Sequence, residues 1–309
     1  MDISITVWVV TCAVILGLFV FDFFAHVRIP HEPTFKESAI WSSSHICPSV
    51  VFGLGFWWQW GGAFRVEYFA GYVTEKALSV DNLFVFTVIM ASFAVPREFQ
   101  QKLLLIGIVM ALVMRAAFIA VGAAAINSFS WVFYLFGLFL VLTAVKLAKD
   151  NGHEPEVEQK RDSRIITLVR KFVPTTETYD GDKFLTKVDG KRAVTPMLLA
   201  LIAIGFTDIL FALDSIPAIY GLTEEPYIVF TANAFALMGL RQLYFLIGGL
   251  LDRLVYLSYG LALILAFIGV KLMLHALHEN TLPFINGGKH VAVPEISTGP
   301  VCSVPIAQW

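Results

Sequence analysis

Long apolar runs recur along most of the chain, and each run is close to the length of a membrane-spanning helix. About 20 apolar residues are needed to cross roughly 30 Å of hydrocarbon as an α-helix. A charged stretch at residues 150–195 interrupts the pattern. The pattern predicts eight transmembrane helices, at about residues 3–25, 38–60, 67–94, 100–126, 129–149, 196–221, 227–250 and 254–277.

The composition agrees with a membrane protein. Hydrophobic residues make up 57% of the 309 residues, charged residues 15%, and the mean hydropathy is +0.73. A soluble domain carries about 25% charged residues. The first apolar run is too long for a cleaved secretory signal, and no basic segment precedes it. The chain is therefore predicted to be an all-α polytopic membrane protein with about eight transmembrane helices.

The distribution of Lys and Arg predicts the orientation in the membrane. With the N-terminus outside, fifteen of the 22 basic residues fall in inner loops, and the outer segments hold Arg65 and Lys289. The outer loop at 221–226 is acidic, with Glu224 and Glu225. The positive-inside rule then places both termini outside and the 150–195 loop in the cytoplasm. The expected location is the plasma membrane of a bacterium.

Two pairs of acidic residues lie inside apolar runs. Glu75 and Asp81 belong to the third run, Asp208 and Asp214 belong to the sixth, and each pair is spaced six residues apart. An ionisable side chain at membrane depth costs about 2.5 kcal/mol or more and usually has a functional role. Four carboxylates in two matching places predict a site for a positively charged guest.

The two halves of the chain repeat one another. The first pair of acids is followed by Arg115 and then by a Val-Lys-Leu phrase at 145–147, and the second pair by Arg241 and the same phrase at 270–272. Each unit holds three helices, so the second unit enters the membrane from the opposite side, as in inverted-repeat transporters. The predicted organisation is two leading helices (1–66), a first three-helix repeat (67–149), a cytoplasmic loop (150–195), a second three-helix repeat (196–280) and an irregular tail (281–309).

The spacing of the acids favours an interrupted helix. Positions six apart point about 120° away from each other on a regular helix, so both acids of a pair could not face one guest. Pro217 disfavours helix at residues 215–216, which predicts a break there. A break frees backbone carbonyls, and Asn82 and Ser215 add neutral oxygens beside the acids. Such ligands suit a hard or borderline divalent cation.

A structural alternative is that each acid pairs with an intramembrane base. The duplication favours a shared ion site, with the arginines bracing the acids. Asp22 and His26, four residues apart in the first run, suggest an inner gate or a proton relay, or alternatively simple solvation at the interface. The candidate partner bases are Lys76, Arg115, Lys146, Arg241 and Lys271.

Few other residues suggest a site. Cys12, Cys47 and Cys302 have no C-x-x-C spacing, which argues against a disulfide framework or a thiolate metal site. His275 and His278 share a helix face and are typical of a membrane interface, although they could bind a metal. In the loop, Asp-Gly at 189–190 separates two short β-prone runs and predicts a hairpin, with a helical lead-in at 163–173.

Three segments resemble the signatures of the TerC family of integral membrane proteins. Residues 67–84 (EYFAGYVTEKALSVDNLF) are similar to the first signature, 206–219 (FTDILFALDSIPAI) to the second, and 239–245 (GLRQLYF) to a third. The likeness runs from about residue 5 to 275. The chain departs from the pattern at 40–48, which contains His45, Cys47 and Pro48, so the consequence for selectivity stays open.

The resemblance implies a metal path. TerC proteins take their name from tellurium resistance and are placed near the LysE transporter superfamily. Members are associated with manganese export, and some with loading metal onto secreted enzymes beside the secretion machinery. By resemblance, the metal path comprises Asp22, Glu75, Asp81, Asn82, Asp208, Asp214 and Ser215.

The sequence therefore predicts a transporter that exports divalent metal cations across the lipid bilayer, with exchange for protons as one form of coupling. Manganese comes from the resemblance, because all-oxygen ligands suit Mg²⁺ or Ca²⁺ equally well. No permanently bound cofactor, enzyme activity or nucleic-acid partner is expected. The alternative is a membrane scaffold that serves tellurium or metal stress or the metalation of secreted proteins, with structural acids.

Overall fold

The computed structural model describes residues 3–24, 34–129, 131–149, 175–176, 178–188, 191–247, 255–278, 291 and 293. Nine helices and one two-stranded sheet lie within these residues. The predicted lead-in helix at 163–173 and nearly all of the predicted tail lie outside them. The helices are α1 (Ile5–Asp22), α2 (Phe35–Trp60), α3 (Gly62–Ser92), α4 (Arg97–Ser128), α5 (Val132–Lys149), α6 (Pro196–Tyr220), α7 (Pro226–Leu237), α8 (Leu240–Ile247) and α9 (Val255–His278), and the strands are β1 (Leu185–Val188) and β2 (Lys191–Val194).

Local sequence signals explain where several helices begin. Thr34 and Glu37 form a capping box at the start of α2, in which each side chain accepts from the other residue's backbone N–H. At the start of α1, the Ser4 hydroxyl accepts a single hydrogen bond from the Val7 amide at 3.4 Å. Pro196 and Pro226 occupy the first positions of α6 and α7, where a missing N–H costs nothing.

The fold is that of an all-α polytopic membrane protein, with helices close to the eight predicted runs. Many large apolar side chains on the helices are exposed, as lipid-facing residues are. α2 and α3 are long enough to span a bilayer, but polar residues lower their hydropathy. By length and apolar character, the candidate spans within the described residues are Ile5–Asp22, Arg97–Ile126, Pro196–Tyr220 and Pro226–Leu246, with shorter apolar helices at Val132–Lys146 and Ala262–His278.

Each helix of the first predicted repeat packs most closely on a helix of the second. The first unit is α3, α4 and α5, and the second is α6, the broken α7–α8 segment and α9. The closest packing joins α5 to α9, α3 to α7, and α4 to α6. The first helix of each unit thus packs on the second helix of the other unit, and the two third helices pack on each other. A pseudo-two-fold axis between the two units would produce this reciprocal packing.

The predicted helix break at 215–216 is wrong. α6 continues through Pro217 to Tyr220. Pro217 removes one backbone donor near the end of α6, and a membrane helix that packs against its neighbours tolerates such a loss. The break lies one helix later, between α7 and α8, where Gly239 adopts a φ of +78° that side-chain-bearing residues disfavour.

The hairpin in the predicted cytoplasmic loop has the expected strands. β1 and β2 pair antiparallel, with Leu185 opposite Val194 and Val188 opposite Lys191. The segment contacts the ends of α3 and α4: the Tyr179 hydroxyl donates to the Phe93 carbonyl at 2.7 Å. Lys102 of α4 bonds the Asp182 carboxylate at 2.5 Å. These contacts fix the hairpin segment against the helix ends.

Replacing Lys102 by alanine is expected to loosen the hairpin segment. Lys102 holds the pKa of the Asp182 carboxyl below its usual range. The stabilisation from this pair is therefore present above the ordinary carboxyl pKa of about 4 and is lost as the pH falls through the lowered value. Hydrogen exchange of the β1 and β2 amides at neutral pH should become faster. Lys187→Ala, on the exposed side of β1, is the control and should change little.

Candidate functional site

The centre of the molecule contains a buried arginine that two carboxylates surround. Arg115 of α4 is completely buried. Its Nη1 bonds the carboxylate of Glu75 from α3, and its Nη2 and Nε bond the carboxylate of Asp208 from α6 at 3.1 and 3.4 Å. The guanidinium thus links the first acid of each repeat. This geometry fits both the expectation that Arg115 braces the acids of an ion site and the alternative that each acid pairs with an intramembrane base.

Two neutral side chains complete the contacts of the guanidinium. The Ser215 hydroxyl accepts from Nη1 at 3.2 Å. With its amide oxygen toward Arg115, Asn82 accepts from Nη2 at 3.1 Å and donates to the Leu78 carbonyl at 3.0 Å. Asn82 and Ser215 are equivalent positions of the two repeats. Acids and neutral residues from equivalent positions of the two predicted repeats therefore meet at Arg115.

Helical spacing explains which residues converge. Glu75 and Asn82 are seven apart, as are Asp208 and Ser215, and positions seven apart on a helix lie on one face. Asp214 is six residues after Asp208 and therefore points to another face of α6. Asp214 is half-buried and accepts from the Thr143 hydroxyl of α5 at 3.3 Å. The side chain of Asp81 lies outside the described structure.

The four-carboxylate cage stays a prediction. Among the described side chains, no group of three or more His, Cys, Asp or Glu residues could hold a metal ion. The described site instead brings together Glu75, Asp208, Asn82 and Ser215, with Arg115 between them. Every acceptor in this set is an oxygen, the ligand atom that Mg²⁺, Ca²⁺ and Mn²⁺ prefer.

Several polar atoms on α3, and on α7 which packs against it, are buried without a partner in the described part of the chain. They include Oε2 of Glu75 and Oγ of Ser79, one turn apart on α3, and both polar atoms of the Asn233 amide on the adjacent α7. An unpartnered buried polar group costs about 1–3 kcal/mol. Ser79 and Asn233 were absent from the sequence prediction, because a Ser or Asn in an apolar run gives little signal until its neighbours are known.

A second ion pair ties α1 to the broken helix. Asp22 is buried and accepts from Nη2 of Arg241 at 2.7 Å and from the Gln242 amide at 3.0 Å. His45 lies 3.7 Å from the same carboxylate. Simple solvation of Asp22 at the interface is therefore wrong. His26, its predicted companion, lies outside the described residues.

Lys76 bonds the carbonyls that the helix break frees. Its Nζ donates to the Ala236 carbonyl at 2.9 Å and to the Met238 carbonyl at 3.2 Å. A broken helix at the interface of two repeats is typical of transporter substrate sites. Lys76 follows Glu75 directly, so α3 contacts both the Arg115 cluster and the break between α7 and α8.

Replacing Lys76 by methionine is expected to destabilise the protein by about 1–3 kcal/mol, because two carbonyls of the break lose their donor. Thermal unfolding of the detergent-solubilised protein measures the change. Lys36→Met is the matched control, since Lys36 is exposed at the start of α2. An equal effect of both substitutions would contradict the role of Lys76 at the break.

A cavity of about 490 Å³ opens near the ends of α3, α6 and α9. Thr223 donates to the Glu67 carboxylate at 2.6 Å, and the His275 ring lies 2.9 Å from the Glu224 carboxylate. The hydrogen bond from His275 lowers the pKa of the Glu224 carboxyl. Tyr220 lines the cavity and lies five residues after Ser215 on α6.

Comparisons with known proteins identify relatives of this chain. A model of the integral membrane protein TerC family matches residues 60–301. An uncharacterized membrane protein of Mycobacterium tuberculosis is 55% identical over 299 residues, covering 96% of this chain and 75% of that protein. An uncharacterized membrane protein of Myxococcus xanthus is 39% identical, covering 86% of this chain and 82% of its own.

A further relative carries a functional name. The Escherichia coli protein named "Putative membrane-bound redox modulator Alx" is 38% identical over 255 residues, covering 80% of this chain and 78% of that protein. No solved structure matches the chain.

Proposed function

This chain belongs to the TerC family of integral membrane proteins, and from that premise we propose that it is a transporter that exports divalent metal cations from the cytoplasm. Mn²⁺ is the expected cargo. The observation that carries the proposal is the convergence of equivalent polar residues from both repeats on one buried point. Transporters built from inverted repeats bind their substrates at such a point.

The ligands fit a hard or borderline cation. Glu75 and Asp208 supply carboxylate oxygens, and Asn82 and Ser215 supply neutral ones. Such a set suits Mn²⁺, Mg²⁺ or Ca²⁺. Asp81 and Asp214 belong to the proposed path through their place in the repeated motifs. Asp22, which Arg241 holds, would line its other end.

In the expected orientation, the cavity and the hairpin lie on opposite sides of the membrane. With the N-terminus outside, the 490 Å³ cavity faces the exterior and the hairpin faces the cytoplasm. Acidic side chains at the cavity, Glu67, Glu224 and Glu225, would attract a cation that leaves the central site.

The test is the cytoplasmic manganese content of bacteria that lack their own exporters and express this chain. The native protein is expected to lower the manganese content, measured by mass spectrometry. Glu75→Gln/Asp208→Asn and Asp81→Asn/Asp214→Asn should abolish the effect at equal membrane levels. Glu98→Gln, at an exposed glutamate of α4, is the matched control and should export normally. Equal manganese with and without the native chain would contradict manganese export.

The scaffold alternative also has support, since Glu75 and Asp208 pair with Arg115, and Asp22 pairs with Arg241. A purely structural role makes a different prediction for the same variants. Neutralising the acids would then change the melting temperature or the assembly of the protein without any change in ion flux. Measuring both quantities on one set of variants therefore separates the two functions.

A further inference from the structure

We propose that Arg115 is a tethered counter-ion for the transported metal. In this inference, which rests on the proposed function, the guanidinium occupies the position between Glu75 and Asp208 that the divalent cation takes during transport. The cation binds as the guanidinium leaves, and the guanidinium returns when the cation is released. Arg115 thereby sets both the affinity for the metal and the ability of the unloaded protein to change conformation.

The contacts of the Arg115 guanidinium imply that it competes with the metal ion for the same oxygen atoms. Arg115 bonds both carboxylates of the site and both neutral residues, and the arginine and the acids are at most 1% exposed. A metal ion that used these oxygens would need the lone pairs that the guanidinium now occupies. It would also stand within a few ångströms of a like charge in a fully buried region, which is strongly unfavourable. The two cations therefore exclude one another.

A bound divalent cation balances the charge of the two carboxylates better than the guanidinium of Arg115 does. Glu75 and Asp208 carry two negative charges, and Arg115 balances one of them. Arg241, the equivalent base of the second repeat, instead bonds Asp22 and Gln101. A divalent cation balances both carboxylates. Within the described side chains, the repeat thus duplicates the acids of the site but supplies it with a single guanidinium.

The unpartnered polar atoms point to a ligand other than arginine. Oε2 of Glu75 and Oγ of Ser79 have no hydrogen-bond partner in the described structure, although both are buried. A site built solely to hold a guanidinium would satisfy these atoms, because unpaired buried groups are rare in folded proteins. Both atoms are oxygens on the face of α3 that carries the metal path.

A carrier changes conformation once with its substrate bound. It then changes back without the substrate, which is the return step of the cycle. The return step of this protein would move two carboxylates through the membrane interior, and Arg115 supplies their countercharge at that step. Without Arg115, the metal itself becomes the remaining countercharge. We therefore expect Arg115→Gln to bind the metal more tightly, to exchange metal for metal, and to fail in net transport.

The experiment uses the full chain reconstituted in liposomes with Mn²⁺ as the probe. Three quantities are compared for the native protein and for Arg115→Gln: exchange of radiolabelled Mn²⁺ against Mn²⁺, net Mn²⁺ flux down a gradient, and the Mn²⁺ concentration at half-maximal thermal stabilisation. In the variant, exchange should persist, net flux should fall at least about tenfold, and the half-maximal concentration should fall at least about tenfold. Arg65→Gln, at a partly exposed arginine beside Trp57, is the matched control and should behave as native.

Each outcome decides the inference. Loss of exchange and net flux together, without tighter Mn²⁺ binding, would mean that Arg115 is a structural brace, while native flux would still uphold the proposed function. Absence of Mn²⁺ exchange and flux in the native protein would instead reject the proposed function. If the variant unfolds in the absence of metal, recovery of the fold on adding Mn²⁺ supports the inference, and failure to recover at saturating Mn²⁺ overturns it.

Discussion

Replacing Arg115 by methionine is expected to lower the free energy of unfolding, measured without divalent cations, by about 3–5 kcal/mol. Removing one partner of a buried ion network leaves uncompensated charge, here on Glu75 and Asp208, which are 0% and 1% exposed. Desolvation of those carboxylates outweighs any gain from the apolar methionine side chain. Denaturant or thermal unfolding of the purified protein in mild detergent measures the effect.

The same network offers its own control. Combining Arg115→Met with Glu75→Gln and Asp208→Asn removes all three charges, and most of the lost stability should return, because neutral replacement of a whole buried network is often tolerated. Lys36→Met removes an exposed cation of α2 and should change stability by less than about 0.5 kcal/mol. A triple variant that is less stable than Arg115→Met would show that charge desolvation does not explain the effect.

Replacing Gly269 by leucine is expected to destabilise the protein by about 3 kcal/mol and to separate α5 from α9. A Cβ at Gly269 would lie 3.1 Å from the Gly137 carbonyl oxygen and 3.1 Å from the Val141 amide nitrogen. These atoms belong to the backbone of α5, so no change of rotamer can relieve the contact. Small residues allow such close approach of membrane helices.

Gly260→Leu is the matched control for this packing prediction. Gly260 is on the same helix, and a Cβ there would meet no atom of the described residues within 4 Å. The two variants can be compared by thermal unfolding and by the elution profile of the solubilised protein. We expect a lower melting temperature and aggregation for Gly269→Leu, and native behaviour for Gly260→Leu. Similar melting temperatures for the two variants would contradict close packing of α5 on α9.

Local patterns in the sequence predicted the helices and the hairpin well. Apolar run length and the Asp-Gly signal between two β-prone runs act over a few residues, so they can be read without the fold. The spacing of the acids, in contrast, led to the wrong prediction of a broken helix between Asp208 and Asp214. Their separation in α6 is the consequence of a helix that does not break.

The position of the helix break does not follow from the proline in the sequence. Proline commonly ends a helix. The missing backbone N–H of Pro217, however, removes only one hydrogen bond near the end of α6. Gly239 was the better indicator, because a positive φ ends a helix and glycine adopts it without strain. The carbonyls exposed there are bonded by Lys76, which is 160 residues away from Ala236 in sequence. No local pattern could reveal that donor.

The sequence by itself determined the membrane class, the duplicated acids and the positions of the helices, because hydrophobic length and helical periodicity are short-range properties. The tertiary structure decided which charges meet. Arg115 and Arg241 are equivalent in the repeat, yet the first contacts Glu75 and Asp208 whereas the second contacts Asp22. A buried ion bonds whichever opposite charge the packing of distant helices brings within about 3 Å, so its partner depends on long-range contacts that no local pattern contains.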